Sequence, residues 1–360
     1  MLHHIAVQGT GLVGARVARE LCDRRDVELV PLLSGSPERR MELAEALGPK
    51  IGNHAEDEFH TVVLCLPEAQ QVAAARKWLS EGKHVVATAA GGRTVSSLLD
   101  LDTFAREHGV SVTVGAGMAP GLSTVLAHHA AALFDEVTTI HLASVGSSGP
   151  ECLRDLESSI ALDGRERKSG AWEPAPSKSG RELVWFAEPL GSVECQRGDL
   201  GDTQLVDRVV PGTTDLTVRV ATQGAERAFR NKIPTRRRVE EQLGGLRVEV
   251  TGMAEGVSSS VVYGLIDRRS VASAALACFA AVEVPKSGAL GAGGVTEWLA
   301  PVEVLRWLFS RGVKAAVFEA QPSALIDPGF SSDRRSSNRR GSAVLQISWD
   351  FPSVGCQALR

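Results

Sequence analysis

Short apolar runs alternate with helical stripes through the first third of the chain. Ile5 to Gln8 is followed by a glycine-rich turn and then by GLVGARVARELCDRR, in which Val13, Val17 and Leu21 recur at every fourth position and form one apolar stripe. Val27 to Leu33 predicts the next strand. SGSPERR then supplies turn residues and a proline suited to a helix start, leading into MELAEALG. Thr61 to Leu66, closed by Pro67, is a compact apolar run ahead of the helical EAQQVAAARKWLSEG, and His84 to Ala89 predicts a further strand. LDTFAREHG and Val110 to Val114 repeat the alternation. Strands apolar on both faces, separated by about 10–15 residues of helix, predict a parallel sheet covered by helices. The expected fold class is α/β, with a doubly wound parallel sheet of the Rossmann type over residues 1–120.

Beyond Gly121 the rhythm changes. LSTVLAHHAAALF reads as a helix and VTTIHLASV as a strand, followed by a Gly/Ser/Pro stretch from Gly146 to Pro150. Asp215 to Ala221, Leu246 to Thr251 and Ser258 to Ile266 look like antiparallel strands, and SVASAALACFAAV is a small-residue helix suited to burial. Residues 121–294 are therefore expected to form an α+β domain with a mixed or antiparallel sheet, for substrate binding and dimerisation. GVTEWLAPVEVLRWLFSRGV reads as one amphipathic helix with Pro301 near its start, and VKAAVFE as a last strand; part of 295–320 is expected to rejoin the first domain. From 321 to 360 the composition shifts to Ser and Arg (SSDRRSSNRRGS), the pattern of a mobile, solvated tail.

Composition narrows the function classes. The 360 residues are 43% hydrophobic, enough for a sizeable core, and 39 basic against 43 acidic groups leave a net charge of −4. Nothing global draws such a chain to nucleic acid or to an anionic membrane. Aromatics are 5%, with one Tyr against six Trp, a poor supply of base-stacking platforms. No cationic leader with a long apolar stretch is recognisable, and no apolar run approaches about 18 residues, so a soluble cytoplasmic protein is expected. The six cysteines (Cys22, Cys65, Cys152, Cys195, Cys278, Cys356) contain no CxxC pair and read as reduced core thiols. No HExxH, HxH or GxSxG arrangement occurs, so neither a metal centre nor a serine hydrolase is expected.

The leading chemical signal is Gly9-Thr10-Gly11-Leu12-Val13-Gly14, directly after a strand and directly opening a helix. In a dinucleotide fingerprint the first glycine allows the tight turn, the second lets the backbone approach a pyrophosphate, and the third lets helix and strand pack closely. Free amides at the helix start and the helix dipole then face the anion. About 20 residues past the last glycine, where NAD enzymes place a carboxylate on the ribose, stands Ser34, followed by Ser36, Glu38, Arg39 and Arg40. Hydroxyls and a guanidinium suit a 2′-phosphate, so NADP is expected before NAD. The competing reading has Arg39 and Arg40 solvating a helix start and Glu38 turned to the ribose. Because ligands of open α/β sheets lie beyond the carboxyl ends of strands, the loops Cys65-Leu66-Pro67-Glu68, Thr88-Ala89 through Arg93, and Gly117-Met118-Ala119-Pro120 are expected to meet the nicotinamide and the substrate. Cys65 also suits a plain buried position.

GTGLVG, the strand-ending CLP, HVVATA and above all VGAGMAPGLSTVLA resemble the saccharopine dehydrogenase-like (saccharopine reductase-like) family, over roughly residues 3–145 and more loosely over 245–320. GVTEWLAPVEVLRWLFSRGV is similar to that family's closing helix. The resemblance implies a nicotinamide-dependent oxidoreductase acting at the carbon–nitrogen bond of an amino acid, amine or imine, usually as a homodimer formed through the second domain. Saccharopine enzymes tend to carry an Asp before the Pro-Gly and a His shortly after it, where this chain has Ala119 and Thr124. A smaller or less polar amine than saccharopine fits that departure.

Hydride transfer needs the two carbons held at near-attack distance, and imine reduction gains from a nearby acid. Glu68, His128 and His129 are the candidate acids; adjacent histidines on a helix point about 100° apart, so at most one would face the site. Arg93, Arg227 or Arg230 could fork onto a substrate carboxylate, and Thr235 to Arg238 (TRRR) reads as a solvated face. Two other classes stay open: an aldehyde dehydrogenase with Cys152 as thioester-forming nucleophile, and a non-catalytic NADP-sensing protein.

Overall fold

The first sheet is parallel throughout. It is built from β1 (His3–Gln8), β2 (Val27–Leu29), β3 (Thr61–Leu64), β4 (His84–Ala87), β5 (Ser111–Val114) and a late strand, β14 (Gly291–Gly294), in the order β14-β5-β4-β3-β1-β2. Helices α1 (Leu12–Cys22), α2 (Pro37–Leu47), α3 (Glu68–Ser80), α4 (Gly92–Leu99) and α5 (Asp102–Glu107) cover it. The chain leaves β1 to one side for β2 and returns to the other side for β3, so the order reverses between β1 and β3. Such a switch point opens a crevice at the carboxyl ends of the strands. The computed structural model describes residues 2–51, 59–222, 243–313 and 315–318, all within one compact unit, Met1–Ser323.

The predicted strand over 27–33 is interrupted. Val30 donates its amide to Lys50, Pro31 has none to give, and contact with β1 resumes where Leu32 bridges Val7.

The second sheet has seven strands in the order β15-β13-β12-β6-β11-β7-β8. They are β6 (Glu136–Val145), β7 (Gly164–Lys168), β8 (Ala171–Ala175), β11 (Asp215–Ala221), β12 (Gly244–Ala254), β13 (Val257–Asp267) and β15 (Ala315–Phe318). A separate hairpin pairs β9 (Glu182–Trp185) with β10 (Ser192–Cys195). The sheet is mixed: Asp215–Ala221, expected to be antiparallel, runs parallel to β6 over its whole length and meets β7 in antiparallel sense. Helix α7 (Pro150–Ile160) leaves the end of β6, and α8 (Asp202–Val209) precedes β11.

One apolar core joins the two sheets. Ile140, Leu142, Leu246, Val248 and Val250 turn one face of the second sheet onto α6 (Leu122–Ala131), and one apolar cluster continues from there into α9 (Arg269–Lys286). Helix α9 also lies against α1 and the first sheet. Its alanines, among them Ala272, Ala274, Ala277 and Ala281, have no exposed surface, and their short side chains permit that close approach.

The segment expected to form one long helix is divided. Gly294 ends β14, α10 (Val295–Trp298) follows, Leu299 and Ala300 are extended, and α11 (Pro301–Ser310) begins with the proline. A residue before proline is pushed out of the α region, which accounts for the break. The strand added to the first sheet is thus Gly291–Gly294, whereas Ala315–Phe318 joins the second sheet beside β13. The tail from 321, Cys356, Arg227, Arg230 and the TRRR cluster lie outside the described residues. No helix among the described residues is long and apolar enough to cross a membrane.

Candidate functional site

The three glycines of the first turn meet three different surroundings. A Cβ on Gly9, whose φ is +121°, would stand 2.2 Å from the Cys65 carbonyl oxygen, and one on Gly14 would stand 1.8 Å from the Gly9 carbonyl oxygen. These two positions let β1, β3 and α1 close on one another. A Cβ on Gly11 would meet nothing within 4 Å. Gly11 is the N-cap of α1 and offers no side chain to the helix amides, so the open space lies over unsatisfied donors. A pyrophosphate fits such a cradle.

The loop after β2 packs onto this turn. Gly35, at φ +104°, lies where a Cβ would be 2.1 Å from the Thr10 hydroxyl oxygen. Ser36 caps α2 by accepting the Arg39 amide at 3.2 Å. Arg39 donates its Nε to the Thr10 carbonyl at 3.5 Å, and its Nη1 pairs with Glu42 at 3.0 Å. Ser34, Ser36 and Arg39 are therefore beside the glycine turn; Ser36, Glu38 and Arg39 are all exposed.

The loops after β3, β4 and β5 close the carboxyl edge of the sheet around a cavity of about 780 Å³, open solvent at its mouth included. Val13, Leu66, Thr88, Gly117, Met118 and Ala119 all contribute to its wall. Thr88 donates its hydroxyl to the Leu64 carbonyl at 2.9 Å, which holds Ala89 buried beside it. Cys65 packs beneath the glycine turn, where desolvation pushes its thiol pKa well up. The Gly115–Gly121 turn closes on itself: Gly117 donates to the Pro120 carbonyl at 3.1 Å, and the Ala119–Pro120 peptide is cis. Met118 donates its amide to Ser273 of α9 at 3.0 Å.

Two charged groups in the cavity wall carried no recognisable sequence signal. Arg269, the first residue of α9, is 8% exposed. Its Nη2 donates to the Ala119 carbonyl at 3.3 Å, and its Nη1 is buried with no hydrogen-bond partner. Its stem runs past two glycines: a Cβ on Gly244 would be 2.5 Å from Arg269 Cγ, and one on Gly146 would be 3.6 Å from Cδ. Asp202, the first residue of α8, is 4% exposed and accepts the Ser123 hydroxyl. Burial pushes its pKa up to about 6, against the Ser123 hydrogen bond and the nearby Arg269 charge. In sequence DRRS looks like a charged turn and GDLGDTQ like a solvated loop; burial alone distinguishes these residues.

The sequence-derived catalytic candidates fall in different places. Glu68 reaches the cavity wall, yet its carboxylate is occupied: Oε1 accepts the amides of Ala90 and Gly91 at 2.8 and 2.7 Å, and Oε2 the Thr94 hydroxyl at 3.1 Å. Burial raises its pKa while those amides pull it down. It anchors the loop that opens α4. Arg93 lies on the outer surface, its Nε 4.0 Å from Asp199, away from the cavity wall. His128 sits on α6 outside the cavity wall, and His129 shares a 2.9 Å hydrogen bond with the Tyr263 hydroxyl. Cys152 does line the cavity, in the first turn of α7, as an exposed thiol beside Asp155, whose charge disfavours the thiolate. No histidine stands in the cavity wall to take its proton, which removes the base that a thioester-forming cysteine requires. Among the described residues no group of three His, Cys, Asp or Glu side chains could hold a metal ion.

No protein-family model and no curated protein matches the chain in sequence. In structure it shares the fold of saccharopine dehydrogenase (L-Glu forming) from Saccharomyces cerevisiae, with a TM-score of 0.63 and 11% identity over 88% of this chain and 100% of that one. Also similar are GenD2 from gentamicin A biosynthesis in complex with NAD, with a TM-score of 0.43 and 15% identity over 88% of this chain and 97% of that one, and a myo-inositol dehydrogenase from Corynebacterium glutamicum, with 0.46 and 12% over 89% and 99%. At 11% identity the fold is what the chain shares with the yeast enzyme.

Proposed function

We propose that the protein is a nicotinamide-dependent oxidoreductase, preferring NADP to NAD, that transfers hydride at the carbon–nitrogen bond of an amino acid, amine or imine. The observation that carries this reading is the open space over Gly11, at the switch point of a doubly wound sheet and continuous in the chain with a helix start that lines the cavity. The amides at the start of α1 hold the pyrophosphate. Ser34, Ser36 and Arg39 meet the adenosine ribose, where a guanidinium favours a 2′-phosphate and no carboxylate of this loop is buried against it. The coenzyme, when bound, supplies the hydride.

The residues of the chain supply positioning and a proton. The Met118–Pro120 turn, tied to α9 through Ser273 and Arg269, forms a fixed backbone wall on the cavity. Asp202 holds a proton on its carboxyl at a pH near 6 and can pass it to a substrate nitrogen, which makes the imine carbon a better hydride acceptor. It takes the role for which sequence reasoning offered Glu68 and His128.

Titration of the purified protein with NADPH and NADH, followed by a turnover assay on a panel of imines and amines, tests the reading. NADPH is expected to bind more tightly than NADH and to be oxidised by at least one imine. Absence of binding by either coenzyme at millimolar concentration overturns it, and binding without turnover across the panel favours a nucleotide sensor.

A further inference from the structure

Two features of the cavity wall remain unused by coenzyme binding and proton transfer. One is the Nη1 nitrogen of Arg269, buried and without a hydrogen-bond partner. The other is the start of α7. This helix of 11 residues has Gly149 as its N-cap and no side-chain cap, and Pro150 follows as its first residue. Its first-turn amides therefore depend on some other acceptor. The turn before it, Gly146-Ser147-Ser148, also lines the cavity, with the two serines 7% and 9% exposed.

We propose that Arg269 and the Gly146–Gly149 turn form a subsite for the substrate's carboxylate, so that the cavity takes α-amino or α-imino acids rather than bare amines. This deepens the reading of the cavity as the substrate site of an oxidoreductase and rests on it. Three physical points carry the assignment.

A buried guanidinium costs several kcal/mol to desolvate and is retained where an anion and hydrogen bonds repay it. Asp202 is near enough to act on Arg269 through its charge, but its Oδ1 is engaged by Ser123 and it makes no hydrogen bond to the guanidinium. The Nη1 donors are thus left for a ligand, and a planar carboxylate matches the fork geometry of an arginine.

The glycines beside Arg269 provide its path. A Cβ at Gly244 would collide with the arginine stem, and Gly146 adopts φ +93°, which turns the chain after β6 toward the guanidinium. Helix dipole, serine hydroxyls and arginine then favour negative charge at one place. A substrate with an ammonium and no carboxylate would add a cation beside Arg269; the carboxylate of an amino acid pairs with the guanidinium.

The guanidinium end of the subsite is separate from the phosphate cradle, whereas Gly149 packs beside α1, a Cβ there standing 3.1 Å from Leu12 Cδ1. Arg269 is bonded to Ala119, in the turn after β5, whereas the cradle over Gly11 follows β1. These two strands lie at different positions in the sheet, with β4 and β3 between them.

The test uses the full-length protein with and without saturating NADPH. Calorimetry measures binding of L-alanine, L-leucine, L-glutamate, pyruvate and 2-oxoglutarate, and of L-alaninamide and L-leucinamide as partners that lack the carboxylate. At least one acid is expected to bind, with its amide at least tenfold weaker where one is in the set. Arg269→Met is expected to remove that binding, and retained NADPH binding by the variant shows that the cradle over Gly11 is intact. Arg269→Lys keeps a buried cation, guards against a misfolded methionine variant, and is expected to weaken the acid at least threefold. The proposal is overturned if amides bind as well as acids, if folded Arg269→Lys binds the acid as tightly as the parent, or if none of the five acids binds to protein that holds NADPH. Acid binding that depends on Arg269 in a protein that binds no nicotinamide coenzyme would instead overturn the oxidoreductase reading and leave the subsite standing.

Discussion

Gly14 lies so close to Gly9 that a Cβ on the later residue would stand 1.8 Å from the earlier one's carbonyl oxygen, whereas Gly11 between them faces open space. Two glycines of one motif therefore answer to different demands. Gly11→Ala is expected to leave stability within about 1 kcal/mol, since its φ of −70° suits alanine and an N-cap change of this kind is small. The methyl group would occupy the space for the pyrophosphate, and NADPH affinity should fall at least tenfold. Gly14→Ala forces backbone to move, and overpacking of this sort costs about 1–3 kcal/mol. Denaturant melts combined with NADPH titration check both; equal loss of stability in the two variants would contradict the division.

Coenzyme preference should turn on Arg39. Its Nε reaches the Thr10 carbonyl at 3.5 Å, which places the exposed guanidinium beside the glycine turn. Arg39→Ala is expected to weaken NADPH about tenfold, the scale of one lost charge-assisted contact, and to change NADH less than twofold. Fluorescence titration of both coenzymes measures the ratio. An unchanged ratio would mean that the 2′-phosphate is held elsewhere.

The fold was legible wherever periodicity carried it. Most strands and helices from Ile5 to Val114 announce themselves by apolar runs and stripes, but Val27–Leu33 breaks at Pro31 and the helix Gly92–Leu99 was not read from the sequence. Gly291–Gly294 did not: four residues of GAGG carry no side-chain pattern, and the pairing with β5 is made by backbone alone. Orientation was also hidden. DLTVRVA has the same apolar content whichever way it runs, and only its partners Thr139 to Val145 make it parallel. The cofactor loops were visible from glycines at strand ends. Asp202 and Arg269 were not, because a charged residue in a polar segment reads as solvated until tertiary packing buries it.

The buried Glu166 holds the second sheet's polar interior together. It is 2% exposed and receives Arg197, Arg219 through Nη1 at 3.2 Å, and Lys168 at 2.9 Å. Glu166→Ala would leave the 6%-exposed Arg219 without this carboxylate. Breaking a buried pair from one side costs about 3–5 kcal/mol, enough to threaten a marginally stable domain. Urea melts give the loss; a change below about 1 kcal/mol would show that water solvates the cluster.

Acid should act on this protein through groups of opposite sign, His60 and Asp202 among them. The folded-state pKa of His60 is lowered to about 4 by burial and by the neighbouring His3 and His84. Its contribution to stability is present above the unfolded value near 6.5 and is lost as pH falls toward 4. Asp202, raised to about 6, behaves the other way. Its protonated form is favoured in the fold, so its contribution is present below the unfolded value near 4 and disappears as pH rises through 6. Stability measured from pH 4 to 6 therefore carries two opposing slopes from these groups in the parent. In Asp202→Asn, which removes the opposing group, it should rise with pH across that window; in His60→Gln it should fall. The same Asp202→Asn protein should lose the fall in rate that a general acid gives as pH rises through about 6, while still binding NADPH. That split separates a group that moves a proton from one that merely supports the fold. If that fall persists in the variant, the proton comes from another residue, and Asp155, whose pKa is also raised by burial in the same cavity wall, is the next to replace.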